Sequence, residues 1–347
     1  MTTPFRIATY NVEWFSSLFS RDDKLLDDNK WSTRYKTTRS QQIEAIAKVL
    51  TAVDADAILI VEAPNSGKRQ SSTRALEGFA GVFNLRTNRA LEGFANDTRQ
   101  EITLLYDPAV CRAKHDPQGG VPDHSNPHDA PRFDSSFQID LGVDGNHEKV
   151  NFSKPPLEVE LHPIGAKPIR LIGVHVKSKA PHGAKSPNEV AQISTANRRK
   201  QLAQSIWLRR RIDAHVTAGD AIVVAGDLND GPGLDEYEQI LGRSSVEVVM
   251  GVGGDKARQL FDPHAIAAMK PQIDNPPATS RFYIKPKRAY LNALLDYIMV
   301  SPDLHARAKG WEIWHPFDNA ACFKDRALHK ALLTASDHFP VSLDLNL

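Results

Sequence analysis

The sequence predicts a layered α/β or α+β fold. Short apolar runs of about four to eight residues, typical of strands covered on both faces, alternate with stretches whose apolar residues recur at helical spacing. Some runs are close together in the chain and others are separated by helical patterns, which favours packed layers over an all-α or all-β fold. A content of 41% hydrophobic and 24% charged residues is typical of a globular protein and argues against a disordered chain.

Strands are predicted at runs rich in Ile, Val and Leu. These runs are Phe5–Val12, Ala57–Val61, Ile102–Tyr106, Leu157–Leu161, Ile169–Val176, Ala221–Ala225, Leu294–Val300 and Val341–Leu345. Helices are predicted over Thr38–Val53, where apolar residues recur at i, i+3, i+4 and i+7, and over Asn197–Val216, where an apolar stripe lies between two basic clusters.

The chain of 347 residues is predicted to form a single domain, residues 1–347, because no stretch has the composition of a domain linker. Segments rich in Pro, Gly and polar residues predict long loops near 112–136, 178–196 and 251–289. The heptapeptide RALEGFA occurs twice, at Arg74–Ala80 and Arg89–Ala95, which is too few copies for a repeat architecture.

Charge and cysteine content limit the function classes. Lys and Arg number 43 and Asp and Glu number 42, so nucleic-acid binding would depend on local basic patches. Two cysteines cannot build a disulfide framework, and no apolar run approaches the ~20 residues of a membrane span. The N-terminal residues do not resemble a signal peptide. We therefore expect a cytoplasmic protein without stable membrane association, and we expect a monomer.

Several predicted strands end in polar residues although their bodies are apolar. Asn11 and Glu13 share a face of the first strand if it stays extended, and Glu62 follows four apolar residues. A carboxylate in such surroundings is costly unless it is paired or binds a metal ion, and oxygen ligands suit Mg²⁺ or Mn²⁺. Each residue, taken alone, is also compatible with a solvated strand end.

The later strands repeat this pattern, with polar residues at His175, Lys177, Asp227, Asn229, Asp296, Asp337 and His338. Asp296 interrupts an apolar run and needs a partner, for which a histidine ring N–H is well suited. Together the strand ends predict one cleft that suits a hard divalent cation and a phosphate.

The ordered motifs resemble those of the endonuclease/exonuclease/phosphatase superfamily, the DNase I-like fold. The matching segments are TYNVEWF (Thr9–Phe15), LIVEAPN (Leu59–Asn65), GVHVKSK (Gly173–Lys179), VAGDLND (Val224–Asp230), LDYIMVS (Leu295–Ser301) and SDHFPV (Ser336–Val341). The resemblance implies a four-layered α/β sandwich, in which two mixed sheets pack together with helices outside. It also implies hydrolysis of a phosphoester that depends on Mg²⁺ or Mn²⁺.

The resemblance further implies which residues hold the metal. Glu62 matches the main metal carboxylate, and Glu13 matches an acidic position that helps to hold metal in some members. Asn11 would contact the phosphate or water on the metal, and Asp337 would lie on the metal side. Val61 departs from the family pattern, which has Gln before the metal Glu.

The catalytic roles follow in the same way. Asp227 would position or deprotonate the attacking water, and Asn229 would hold a phosphate oxygen. Asp296 would orient His338, which would act as a base or as a donor to a phosphate oxygen. His175 would act on the leaving-group side as an acid or transition-state stabiliser, and it stands where the abasic-site enzymes carry Tyr.

Basic and aromatic residues near the motifs favour a nuclease that acts on DNA or RNA, with DNA as the expected partner. Lys177 and Arg198 belong to one basic group and Arg281 to another, and both groups would contact a phosphate backbone. Phe282 and Tyr283 would stack on a base or enter a groove. The same charges are compatible with solvated loops.

Two alternatives stay open. A related enzyme would hydrolyse an inositol phosphate, a phospholipid headgroup or a nucleotide. A lipid substrate would require an exposed apolar loop, for which Trp311, Trp314 and Phe317 are the best candidates. A non-catalytic binding protein would be expected to lack some motif residues, yet all of them are present.

Overall fold

Two mixed β-sheets, packed face to face, form the centre of the molecule. The computed structural model describes residues 4–120, 130–141, 147–235, 239–270, 275–285 and 288–347. In chain order the strands are β1 (Phe5–Asn11), β2 (Ala57–Ala63), β3 (Arg89–Glu92), β4 (Glu101–Tyr106), β5 (Cys111–His115), β6 (Ser136–Asp140), β7 (His147–Asn151), β8 (Leu157–Pro163), β9 (Ile169–His175), β10 (Ile222–Asp227), β11 (Ser280–Ile284), β12 (Ala289–Ala293), β13 (Asp296–Val300), β14 (Ala308–Ile313) and β15 (Val341–Leu345). The α-helices are α1 (Arg39–Val53), α2 (Ser72–Val82), α3 (Pro187–Ala218), α4 (Ser245–Met250), α5 (Pro263–Ala268), α6 (Pro302–His305), α7 (Ala320–Lys324) and α8 (Arg326–Ala335).

Each sheet combines parallel and antiparallel neighbours. The first sheet has the strand order β14-β15-β1-β2-β4-β3, and the second has the order β13-β10-β9-β8-β5. Strands β1 and β2 are parallel, as are β9 and β10, and the other neighbours within these two sheets are antiparallel. The hairpins β6–β7 and β11–β12 lie outside the two sheets.

The helices cover the outer faces of the sheets, so the molecule has four layers. Side chains of β2 alternate between two hydrophobic clusters: Leu59 points towards the second sheet, and Ile60 points towards α1, α2 and α8. On the far side, α3 buries Trp207 against the second sheet. Gly173 lets the sheets approach closely, since a Cβ there would lie 2.5 Å from Cδ1 of Leu59. The four-layered sandwich implied by the resemblance is confirmed.

Each predicted strand is present, with ends that differ by a residue or two. The two predicted helices are also present, and local signals explain where they begin. Thr38 and Gln41 form a capping box at the start of α1. Ser186 caps α3, Pro187 occupies its first turn, and Gly219 ends it in a left-handed conformation.

The predicted loops require correction. Helix α3 begins at Pro187, so the loop predicted over 178–196 is about half its expected length. The segment 251–289 contains α5, β11 and the first residue of β12, so it is not one continuous loop. Asp262 explains one of them: its buried carboxylate accepts bonds from the backbone N–H groups of His264, Ala265 and Ile298. Within 112–136, residues 112–115 belong to β5, and 121–129 lie outside the described residues.

Helix α3 is the longest helix and carries many charged residues. Among the described residues, none of the helices is both long enough and apolar enough to cross a membrane.

Candidate active site

The strand directions bring the polar strand ends to one edge of the sandwich. Strands β9 and β10 are parallel and end side by side, with His175 opposite Asp227. Strand β13 runs antiparallel to β10, so it begins at the same edge, with Asp296 opposite Asp227. In the first sheet, β1 and β2 are parallel and end at Asn11 and near Glu62. One cleft therefore receives groups from both sheets.

This cleft has a volume of 870 Å³. The predicted site residues that line it are Asn11, Glu13, Glu62, His175, Lys177, Asp227, Asn229, Asp337 and His338. Asp296 is buried directly behind His338. The structure thus brings together all the catalytic and metal candidates.

Two unusual backbone conformations place the Asp227 loop. Gly226 has φ 129°, and a Cβ there would lie 2.1 Å from the carbonyl oxygen of Val174, so only glycine fits. Asn229 has φ 51°, in the left-handed region. Its side chain turns back and donates to Asp227 Oδ2 at 3.1 Å and to the carbonyl of Val176 at 3.1 Å. The two residues converge through a turn, so they do not need an extended chain to project together.

Asp227 is the central acceptor of the cleft. Its Oδ1 accepts from the backbone N–H of Asn229 at 2.7 Å, and its Oδ2 accepts from Asn11 Nδ2 at 3.0 Å. Burial, reinforced by the neighbouring Asp296 charge, raises the pKa of Asp227 to about 7. A carboxyl group with this pKa can exchange a proton near neutral pH.

Asp296 and His338 form a buried pair. His338 Nδ1 lies 2.7 Å from Asp296 Oδ2, which is the partner that the apolar surroundings of Asp296 predicted. Burial alone disfavours the charged imidazole, but attraction to Asp296 and their hydrogen bond outweigh it and raise the pKa of His338 to about 10. His338 is therefore cationic at neutral pH.

Sequence reasoning missed Thr279, which supports this pair. Its hydroxyl donates to Asp296 Oδ2 at 2.8 Å and accepts from the backbone N–H of Asp296 at 3.0 Å. A lone threonine before a hairpin carries no sequence signal for such a role.

On the side of the cleft where Glu62 lies, residues that follow β1 form hydrogen bonds and ion pairs with the acidic side chains. Glu62 has φ 59° beside an irregularity in the pairing of β2 with β4, and its Oε2 accepts from the Trp14 backbone N–H at 2.9 Å. Burial raises the pKa of Glu62. Glu13 forms an ion pair with Arg34, yet burial and the nearby Asp337 charge raise the pKa of Glu13 to about 7.

The donor atoms on this side fit a hard cation. Asn11 Oδ1 is buried and has no hydrogen-bond partner among the described residues. With the carboxylates of Glu62, Glu13 and Asp337 it offers the oxygen ligands that Mg²⁺ and Mn²⁺ prefer.

A second group of possible ligand atoms belongs to Asp227, Asp296 and His338, whose atoms lie within 4.8 Å of one another. The bond to Asp296 raises the pKa of His338, and a protonated imidazole has no lone pair for a metal. This pairing favours proton and charge stabilisation at this group over metal binding.

Lys154, which sequence reasoning also missed, lies at the opposite wall. Its Nζ is 3.1 Å from Nε2 of His175, and His175 Nε2 is 3.7 Å from Asp227 Oδ2. Burial and the Lys154 charge hold the pKa of His175 well below its ordinary value. His175 is therefore a neutral acceptor in this structure, which disfavours its predicted role as an acid.

The predicted substrate-binding residues divide into two sets. Lys177 lines the cleft. Arg198 is not among the residues that line the cleft: it is buried and pairs with Asp235. Arg281 and Tyr283 project from the outer face of the β11–β12 hairpin, where both contact Tyr290.

The alternation of side chains along β11 explains why Arg281 and Tyr283 lie on the outer face of the hairpin. Residues on either side of Phe282 face outwards, and Phe282 itself faces the cleft together with its cross-strand partner Leu291. Arg281 and Tyr283 therefore do not line the cleft.

Comparison with known proteins identifies the family. The model of the Endonuclease/Exonuclease/phosphatase family matches residues 8–338. An AP endonuclease from Archaeoglobus fulgidus superposes with a TM-score of 0.52 at 12% identity, over 99% of this chain and 100% of that chain. The 3' phosphatase NExo from Neisseria, bound to a product DNA hairpin, has a TM-score of 0.50 at 14% identity, over 99% and 100%.

D. rerio TDP2 in complex with a single-strand DNA product has a TM-score of 0.50 at 11% identity, over 100% of both chains. At these identities the likeness shows a shared fold. No curated protein matches the chain. Because the family model covers residues 8–338, the chain belongs to the Endonuclease/Exonuclease/phosphatase family of divalent-metal-dependent phosphoester hydrolases.

Proposed function

We propose that this enzyme hydrolyses phosphodiester bonds of nucleic acid, with DNA as the preferred substrate and Mg²⁺ or Mn²⁺ as the cofactor. The observation that carries the proposal is the arrangement around Asp227. A buried acceptor lies between a cationic His338 on one side and Asn11 on the other, which donates to it through Nδ2 and keeps its Oδ1 for a metal. This arrangement suits in-line attack of water on a phosphoryl group.

In this proposal Glu62 and Asn11 hold the metal, with Glu13 and Asp337 beside them. A divalent cation there would neutralise phosphate charge and stabilise the leaving oxygen. The candidate ligands at this position are carboxylate and amide oxygens, which supports a hard cation over a softer one.

Asp227 is the proposed base. Its pKa of about 7 allows it to accept a proton from the attacking water, and the amide groups of Asn11 and Asn229 fix its orientation. His338, kept cationic by Asp296, would donate a hydrogen bond to a phosphoryl oxygen as negative charge develops there.

The walls of the cleft support a nucleic-acid substrate. Lys177 supplies positive charge, and Trp14, Phe282 and Leu291 supply apolar surface on which a base or sugar can pack. Trp14 is 45% exposed and Leu291 is 52% exposed, so this surface is accessible to a large ligand. Two of the similar structures named above contain DNA products.

A lipid substrate has less support. Trp314 is buried and donates to Ser342 Oγ at 3.0 Å, and Trp311 donates to the carbonyl of Ile298 at 2.8 Å. Phe317, the most exposed of the three candidates, packs near Arg281. These residues therefore do not form the exposed apolar loop that a lipid enzyme requires.

The test is incubation of the purified protein with supercoiled plasmid, linear duplex, single-stranded oligonucleotide and bis-p-nitrophenyl phosphate. Each substrate is tested with Mg²⁺, with Mn²⁺ and with EDTA. Asp227→Ala and His338→Ala should each lower the metal-dependent rate by about 10²-fold or more. Asp22→Ala and His162→Ala change exposed residues outside the cleft and serve as matched controls with wild-type rates.

Metal-dependent nicking or degradation that is lost in both site variants would establish a nuclease. Comparing cleavage of supercoiled plasmid with cleavage of linear duplex separates an endonuclease from an exonuclease. Turnover of the small diester with all nucleic acids intact would overturn the proposed substrate class. Inositol phosphates, phospholipid headgroups and nucleotides would then be tested with the same variants.

A further inference from the structure

The cleft contains a lysine that none of the family motifs in this sequence includes. Lys154 lies between β7 and β8, three residues after the end of β7. Its side chain is half-buried and lines the cleft with Glu62, His175 and Asp227. Among the described residues, His175 is the one hydrogen-bond partner of its Nζ, at 3.1 Å. The other N–H groups of the ammonium are therefore available to a ligand in the cleft.

The charge on Lys154 decides the tautomer of His175. A charged ammonium has three donors and no acceptor, so His175 then accepts through Nε2 and carries its proton on Nδ1, which is buried and has no hydrogen-bond partner among the described residues. A neutral imidazole in this position orients the lysine instead of donating a proton from Nε2. Burial lowers the pKa of Lys154 to about 8, while Glu62 and Asp227 favour its charged form, so the ammonium stays protonated at neutral pH.

The cleft is lined by several acidic residues, so the positive charge of Lys154 would offset repulsion of an anionic substrate. Glu62, Asp227 and Asp337 are acidic, and a phosphodiester is itself an anion. His338 supplies one fixed positive charge from the Asp296 side of Asp227, and Lys154 supplies another from the His175 side. A phosphoryl group placed against Asp227 would have a donor on each flank.

We propose that Lys154 is a catalytic residue, whose ammonium, oriented by His175, donates to a non-bridging phosphoryl oxygen of the substrate. His175 is then a positioning residue rather than a general acid. This inference rests on the proposed phosphodiesterase function and names a residue that the function alone does not require.

The first experiment compares Lys154→Met with wild type on an oligonucleotide and on bis-p-nitrophenyl phosphate. The expected result is a fall in kcat of about 10²-fold with a smaller change in KM, because the hydrogen bond strengthens as charge builds on the phosphoryl oxygen. Lys309→Met removes the same charge from an exposed position on β14 and should keep the wild-type rate.

Chemical rescue separates a missing ammonium from a disturbed fold. Lys154→Cys is treated with 2-bromoethylamine, which forms a thioether and restores an ammonium at nearly the original reach. The native Cys111 and Cys322 are fully buried and should not react in the folded protein. Rescue by at least tenfold is expected with this reagent and none with iodoacetamide, which adds a neutral group.

Two substitutions test the role of His175. His175→Gln keeps an acceptor near the position of Nε2 and should retain at least tenfold more activity than His175→Leu, which keeps none. Equal losses in the two variants would indicate that His175 itself donates a proton, and would overturn its assignment as a positioning residue.

The outcomes distinguish this inference from the proposed function. A wild-type protein that cleaves none of the phosphodiesters would overturn the function and this inference with it. An active wild type, together with a Lys154→Met variant within about twofold of its rate, would overturn only the role of Lys154. An inactive variant that 2-bromoethylamine fails to rescue would show that Lys154 acts in the fold and not on substrate.

Discussion

Two histidines in one cleft have opposite charge because their partners differ. His338 faces the Asp296 carboxylate and is cationic, with its pKa raised to about 10. His175 faces the Lys154 ammonium and is neutral, with its pKa held well below its ordinary value. Both rings are buried, so burial does not explain the difference. At the residue scale, the sign of the neighbouring charge decides what each imidazole can do.

The opposite protonation states of Asp227 and His338 predict the pH dependence of the reaction. Asp227 must be deprotonated to act as base and His338 must be protonated to donate. The rate should therefore rise with pH through about 7 and fall through about 10. Asp296→Asn removes the charge that raises both pKa values, so both limbs should move to lower pH. The profile of kcat/KM with bis-p-nitrophenyl phosphate measures this, with Asp22→Asn as the control. An alkaline limb that stays in place would contradict the assignment to His338.

At the scale of elements, one heptapeptide adopts two structures. RALEGFA at Arg74–Ala80 lies within α2, and the same residues at Arg89–Ala95 form β3 and the segment directly after it. The helical copy buries Leu76 and Phe79 on one face, and the extended copy pairs with β4. The copies also touch, since Glu77 of the helix accepts from the backbone N–H of Ala90 at 3.1 Å.

The two copies predict opposite effects of one substitution. Gly78 is exposed in the middle of α2 with open space around it, so Gly78→Ala should stabilise the protein by about 0.5–1 kcal/mol. Gly93 packs closely, and a Cβ there would lie 3.1 Å from Leu157 Cδ1 and 3.3 Å from His115 Nε2. Gly93→Ala should therefore destabilise by about 1 kcal/mol. Urea unfolding of both variants gives the two signs, and shifts in the same direction would refute the packing argument.

At the scale of the molecule, the cleft lies where the two sheets meet and is lined by residues of both. Asn11 and Glu62 come from the first sheet, and His175, Asp227 and Asp296 come from the second. The hydrogen bond from Asn11 Nδ2 to Asp227 Oδ2, at 3.0 Å, crosses between them. Metal binding at this junction should thus depend on the folded sandwich and stabilise it as a whole.

The stabilisation by metal is a direct prediction. A metal concentration 100 times Kd should raise the free energy of unfolding by about 2.7 kcal/mol. Glu62→Gln should abolish most of this gain. Without metal, the same variant should be at least as stable as wild type, because burial already raises the pKa of Glu62 and so disfavours its charged form.

Thermal unfolding with and without Mg²⁺ or Mn²⁺ measures both effects. Glu44→Gln, an exposed substitution on α1, is the matched control and should keep the full metal response. A full metal response in Glu62→Gln would place the cation elsewhere.

The sequence by itself determined the central strands and the polar residues at their ends. A strand buried on both faces must be apolar along its length, so an acid such as Glu62, Asp227 or Asp296 next to one is conspicuous in the sequence. The expectation that these residues share one cleft needed only the strand directions of the layered fold, and the structure confirms their proximity.

Tertiary structure decided the features that depend on contacts between distant segments. Lys154 and Thr279 contribute to the site from loops that carry no motif. Arg198 lies outside the site and forms an ion pair with Asp235. The repeated heptapeptide makes the reason plain, since identical residues form a helix in one place and a strand in the other. Local preference is weak for so short a segment, and the surface that each copy covers decides its conformation.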